Sequence, residues 1–189
     1  MNIQFPNWRD MGFDLIDIGT NIIQPLIKPN HYQILKSIVS DIKLATHEKI
    51  NTVPIAGDQL KSLTEDINIK SWLWDSKFYT FSSLDDWKKV VTNDFTDRLK
   101  YLAETFDCED FAKLFSSVMN VVFGVNACGI ALGATIRKDT NELGYHAYNA
   151  IPLDNTLYIF EPQGNIFKEA SKETDMEWAI YRTDLIIYG

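Results

Sequence analysis

A chain of 189 residues with 46% hydrophobic and 23% charged side chains has the make-up of a globular protein with apolar material for one sizeable core, so a single domain over residues 1–189 is expected. A formal net charge of -8 argues against the clustered Lys and Arg that a phosphate backbone needs, and no nucleic-acid partner is expected. No apolar run reaches the length of a bilayer span and the first ten residues lack the basic and apolar regions of a signal peptide, which predicts a cytoplasmic or virion-associated chain with no membrane partner.

From His31 to Ala45 the residues Ile34, Leu35, Ile38, Val39 and Ile42 recur at three- and four-residue steps, the pattern of one buried helix face, after a Pro29-Asn30 start signal. Asn51 to Pro54 reads as a loop, and Ala56 to Ile67 as a short helix with Leu60 and Leu63 inward. Ile69 to Phe81 reads as extended chain, its aromatics Trp72, Trp74, Phe78, Tyr79 and Phe81 expected to pack on the core. Ser83 followed by Asp85 and Asp86 is an N-cap with acids in the first turn; the helix it opens passes Trp87, Val90 and Val91 toward Leu102, with a break near Thr92-Asn93.

The next helix starts close to Asp107. Phe111, Ala112, Leu114, Phe115, Val118, Met119, Val122 and Phe123 give it an apolar surface so broad that it is expected at the centre of the molecule, and Gly124 ends it. The pattern then becomes extended: Cys128 to Arg137, a turn over Lys138 to Glu142, Gly144 to Pro152, a turn at Asp154-Asn155, and Thr156 to Glu161. Trp178 to Tyr188 reads as a last pair of β-rich runs broken at Thr183-Asp184. The predicted class is α+β, with a mostly helical region over about residues 1–105 and a core over about 106–189 in which the central helix packs on an antiparallel sheet.

Two cysteines in unlike surroundings make a disulfide framework improbable on chemical grounds; Cys128, in an apolar run, reads as a small buried hydrophobe. Cys108 instead falls in the first turn of the central helix, where free backbone N–H groups and the helix dipole favour a thiolate. Its neighbours Asp107, Glu109 and Asp110 oppose that charge. His146 lies on an alternating strand whose face it shares with Gly144, Tyr148 and Ala150, which leaves room around the ring. With the turn centred near Asp154, position 146 pairs with about position 162, so Glu161 lands beside His146. A thiol, an imidazole and a carboxylate in that order are the residue types of a nucleophilic triad. Singly, each also has an ordinary structural explanation: core packing for the Cys, a strand-face position for the His, a strand end for the Glu.

The segments Asp107-Cys108-Glu109-Asp110-Phe111-Ala112, His146-Ala147-Tyr148-Asn149 and Phe160-Glu161-Pro162-Gln163 resemble the motifs of the papain/transglutaminase-like cysteine hydrolase superfamily, over about Tyr101 to Asn165. The subgroup they resemble most is the papain-like C-terminal domain found in a mushroom agglutinin, a calcium-activated cysteine protease with a Cys-His-Glu triad. The resemblance implies a papain-like cysteine peptidase or related thiol acyl-hydrolase acting on a peptide or protein substrate, with Cys108 as nucleophile, His146 as general base and acid, and Glu161 as its orienting partner. It also implies calcium held by Glu109 and Asp110 with Gln163 or Asn165, although the sequence by itself requires no cofactor. Two alternatives stand beside this reading: acyl transfer of the transglutaminase type, and a non-catalytic binding or structural module that retains the fold.

Overall fold

The computed structural model describes residues 29–47, 50–94 and 96–189; the N-terminal stretch behind the signal-peptide expectation lies outside the described residues, as do the side chains of Ile34 and Leu35. Helix α1 (Pro29–His47) buries Val39 and packs Ile38 and Leu44 against the core, as its periodicity predicts. The loop expected over Asn51 to Pro54 falls largely within strand β1 (Thr52–Ala56), which pairs antiparallel with β3 (Lys77–Phe81) in a separate two-stranded sheet. Only Ile55 of β1 is buried, so its sequence carries no inward-outward alternation to read.

Helix α2 (Gly57–Glu65) turns Leu60 inward and leads into β2 (Lys70–Leu73). Helix α3 (Leu84–Asn93) opens with the Ser83 hydroxyl accepting the Asp86 N–H at 3.1 Å, and it buries Trp87, Val90 and Val91. It stops at Asn93, short of Leu102, and a single 3-10 turn (Thr96–Arg98) follows.

Helix α4 (Cys108–Phe123) buries Phe111, Ala112, Phe115, Val118 and Met119, and ends at Gly124 with φ +69°, the left-handed conformation that favours glycine. After it come β4 (Gly129–Arg137), β5 (Leu143–Leu153), β6 (Thr156–Glu161), β7 (Ile166–Glu169), β8 (Thr174–Met176) and β9 (Ala179–Tyr188). The strands of the main sheet run in the order β2-β9-β4-β5-β6-β7, with β8 also on β9. All neighbours are antiparallel except β2 and β9, which are parallel, so the α+β class holds while the sheet is mixed. The expected break at Thr183-Asp184 is a β-bulge inside one continuous strand: Leu132 pairs with Leu185 and Gly133 with Thr183, which leaves Asp184 as the extra residue.

Two apolar clusters hold these layers together. One gathers Tyr148, Ala150, Ile159, Tyr181, Ile186 and Tyr188; the other gathers Phe81, Trp87, Phe115, Met119, Cys128, Ile151 and Phe160. Helix α4 is tied to the sheet by polar contacts: the Asn149 amide donates to the carbonyls of Ala112 (3.0 Å) and Gly129 (3.2 Å), and the Ser116 hydroxyl donates to the Cys128 carbonyl (2.6 Å). Cys128 is the buried hydrophobe expected, and burial pushes its thiol pKa far up.

Phe78 and Phe81 pack inside as predicted, but Trp72 and Trp74 are 61% and 78% exposed. Trp72 belongs to the terminal strand of the sheet and Trp74 follows it directly, which nothing in their residue types reveals.

The Tyr188 hydroxyl is buried and has no hydrogen-bond partner among the described residues. Tyr188→Phe is therefore expected to leave stability unchanged or to raise it by up to about 1 kcal/mol, since an unpaired buried hydroxyl pays desolvation with no return. A urea titration checks this; a loss beyond about 1 kcal/mol would mean that the hydroxyl is bonded after all.

Candidate functional site

His146 stands opposite Gly133 in the β4–β5 register, and the β5–β6 register pairs Asn149 with Phe160. One further step sets Glu161 across from Tyr148, on the face and diagonal from His146. The side chains meet: His146 Nε2 lies 2.7 Å from Glu161 Oε2, with both groups largely buried. The pairing inferred from the position of the Asp154 turn is thus one residue from the observed register and reaches the same contact.

The same carboxylate is bound by two more donors. The Tyr181 hydroxyl donates to Glu161 Oε2 at 2.7 Å, and the Gln163 N–H donates to Oε1 at 3.2 Å. Tyr181 comes from β9, next to β4, so three strands converge on one buried carboxylate. The rings of Tyr148, Tyr181 and Trp178 surround the imidazole at centroid distances of 5.9, 5.5 and 5.9 Å, the last two edge-on. Burial works against a charge on His146, yet hydrogen bonding with Cys108 and Glu161 and their negative charge outweigh it and raise the pKa to about 9. The ring is consequently cationic at neutral pH. Tyr181 is driven the other way, its phenol kept protonated first by burial and then by the Glu161 charge.

Cys108 opens α4 and lies half-buried. Its thiol donates to Glu109 Oε2 at 3.6 Å. Asp107, Cys108 and Glu109 offer three possible ligand atoms within 4.8 Å of one another. Hydrogen bonding to Glu109 pushes the Asp107 carboxyl up, and the same contact holds Glu109 down, so the two acids divide one proton unequally.

Asp110 belongs to a different arrangement. It accepts the Asp107 N–H at 3.4 Å and faces Lys113 at 3.6 Å, as helix-capping acids do. Of the residues tied to calcium by resemblance, Glu109 is therefore grouped with a second acid and a thiol, and a thiol does not suit a hard cation that takes oxygen ligands. The structure derives no chemistry from a metal at this place.

Beside His146 runs a groove of about 420 Å³ lined by Thr135, Arg137, Glu142, Tyr145 and Trp178, among others. Trp178 and Tyr145 are 42% and 81% exposed on its walls. Sequence reasoning found Cys108, His146 and Glu161 but not Tyr181 or Trp178. The alternation Ala179, Tyr181, Thr183 along β9 was the available signal for Tyr181, since those residues share the buried face.

No protein-family model matches the chain, and no curated protein matches it. Solved structures similar to it include PSL1a in complex with E64, at 18% identity with a TM-score of 0.56 over 71% of this chain and 51% of that one. Another is the Polyporus squamosus lectin bound to the human-type influenza-binding epitope Neu5Acα2-6Galβ1-4GlcNAc, at 18% identity and TM-score 0.54, covering 71% and 49%. The chain spans about half the length of these proteins, and at this identity the likeness is one of fold. The resemblance to an agglutinin is met at that level.

The enzymatic expectation is corrected. The solved structures that share this fold are lectin chains, which runs against the expected papain-like cysteine peptidase or related thiol acyl-hydrolase. At the site the Cys108 thiol donates to the Glu109 carboxylate within a cluster of acids. Among the described residues no helix is long and apolar enough to cross a membrane.

Proposed function

We propose that this chain is a non-catalytic binding module, with its ligand seated in the groove beside His146, whose imidazole is held from behind by Glu161. The observation that carries the reading is the fixed, cationic imidazole: one buried carboxylate and three aromatic rings hold it beside a groove whose wall exposes Trp178. A preorganised charge next to an aromatic wall recognises an acidic group on a ligand that also has an apolar face. A saccharide bearing a carboxylate has both features, and the sialylated epitope bound by the Polyporus lectin is a ligand of this kind.

The test is calorimetric titration with Neu5Acα2-6Galβ1-4GlcNAc while the His146 ring resonances are followed. Saturable binding is expected, weakened at least about tenfold by Trp178→Ala, which removes an aromatic contact of about 1 kcal/mol or more. Binding should fade as pH rises through about 9, where the ring loses its charge. Absence of saturable binding, or binding indifferent to both Trp178 and pH, would exclude this groove as the site.

A further inference from the structure

A second groove lies elsewhere, a cavity of about 910 Å³ between α2, β2 and the bulge of β9, within the size range of about 300–1,000 Å³ typical of small-ligand sites. Its walls are Lys61, Glu65, Asn68, Lys70, Ser71, Trp72, Thr183 and Asp184, with Ile69 and Leu185 as the aliphatic contribution. Three properties narrow what it can hold. First, Trp72 exposes 61% of its surface on the wall, a flat apolar platform that the fold itself leaves uncovered. Second, two ammonium and two carboxylate groups balance, and Lys61 and Glu65 pair with each other at 3.7 Å, so the groove selects no net charge. Third, amide and hydroxyl groups on Asn68, Ser71 and Thr183 add both donors and acceptors, while Ile69 is buried at 4% and presents little apolar surface for an anchor.

From this chemistry we infer that the groove between α2, β2 and the β9 bulge is a second binding site, for an uncharged oligosaccharide. Each sugar hydroxyl both donates and accepts, which mixed ammonium, carboxylate, amide and hydroxyl walls can satisfy without a charge on the ligand. The C–H face of the same ring stacks on an indole, and Trp72 supplies one. A phosphorylated or sialylated ligand meets as many carboxylates as ammonium groups.

The groove is also joined to the first site by contacts. Thr183 lies 2.8 Å from the Tyr148 hydroxyl, the Tyr148 ring packs on Tyr181 at 4.6 Å, and Tyr181 donates to Glu161. This second site rests on the reading of the chain as a binding module, and the two sites are separable because each has its own tryptophan.

The experiment titrates the full chain with maltotetraose, cellotetraose and tetra-N-acetylchitotetraose, reading heat and the indole Nε1–H resonance of Trp72. At least one probe is expected to bind saturably, to shift that resonance, and to lose at least about tenfold in affinity in Trp72→Ala. Trp178→Ala should bind the same probe as wild type, and Trp72→Ala should melt like wild type because its indole is exposed. The second site is overturned if none of the three binds saturably, or if Trp72→Ala binds as well as wild type. If the sialylated trisaccharide still binds beside His146 in either of those cases, the first site stands and the second alone falls.

Discussion

Gly133→Ala is expected to cost at least about 3 kcal/mol of stability or to prevent folding, the largest effect of any single methyl group in this molecule. A Cβ at position 133 would sit 2.1 Å from the Arg182 carbonyl oxygen and 2.8 Å from the Thr183 Cα. Both are backbone atoms, so no rotamer change relieves the clash; β4 and β9 must move apart where the bulge joins them. The consequence reaches the site because Gly133 is also the residue opposite His146, and Tyr181 approaches Glu161 from the same stretch of β9. Urea unfolding followed by circular dichroism measures the loss. Gly144→Ala is the control, since its Cβ would meet only the Thr135 hydroxyl, at 3.5 Å, and should change stability by less than about 1 kcal/mol. A Gly133→Ala chain within about 1 kcal/mol of wild type would show that the bulge is not held by this close approach.

Glu161→Gln is expected to remove both stability and its pH dependence. His146 has a raised pKa of about 9 against an ordinary 6.5, so the charged form is favoured in the folded state. The stabilisation is fully present below pH 6.5 and disappears as pH rises through about 9; the interval corresponds to about 3 kcal/mol. Glutamine keeps the shape but not the charge. Cys108 and Glu161 both raise the His146 pKa, so the variant should lose part of that about 3 kcal/mol at pH 6 and clearly less at pH 10. Loss of the same size at both pH values would assign Glu161 a packing role in place of the ion pair. Tyr181 and the Gln163 N–H keep an acceptor oxygen on the amide only if it orients between them, which adds a smaller, pH-independent loss.

Much of this architecture is legible in the residues. The breadth of apolar positions from Phe111 to Phe123 marks α4, and Gly124 marks its end. The turn at Asp154-Asn155 sets the β5–β6 register closely enough to bring Glu161 to His146, because a hairpin with a short turn leaves little freedom of pairing.

What stays hidden has identifiable causes. β1 is exposed at four of its five residues, so it lacks the alternation that reveals a strand. The bulge at Thr183-Asp184 mimics a strand break, because an extra residue resets the inward-outward pattern. Trp72 and Trp74 read as core residues since composition reports hydrophobicity and not position at a sheet edge. Function was the least legible layer. Cys108, His146 and Glu161 occur in the order a thiol triad requires, and two of them touch, yet residue order alone does not distinguish chemistry from binding.

The most direct test is to incubate the wild-type chain and Cys108→Ala with a peptide library and to analyse the products by mass spectrometry. A binding module leaves the library intact with both proteins. Cleavage by the wild-type chain that disappears in Cys108→Ala would contradict the non-catalytic reading and restore the thiol as a nucleophile.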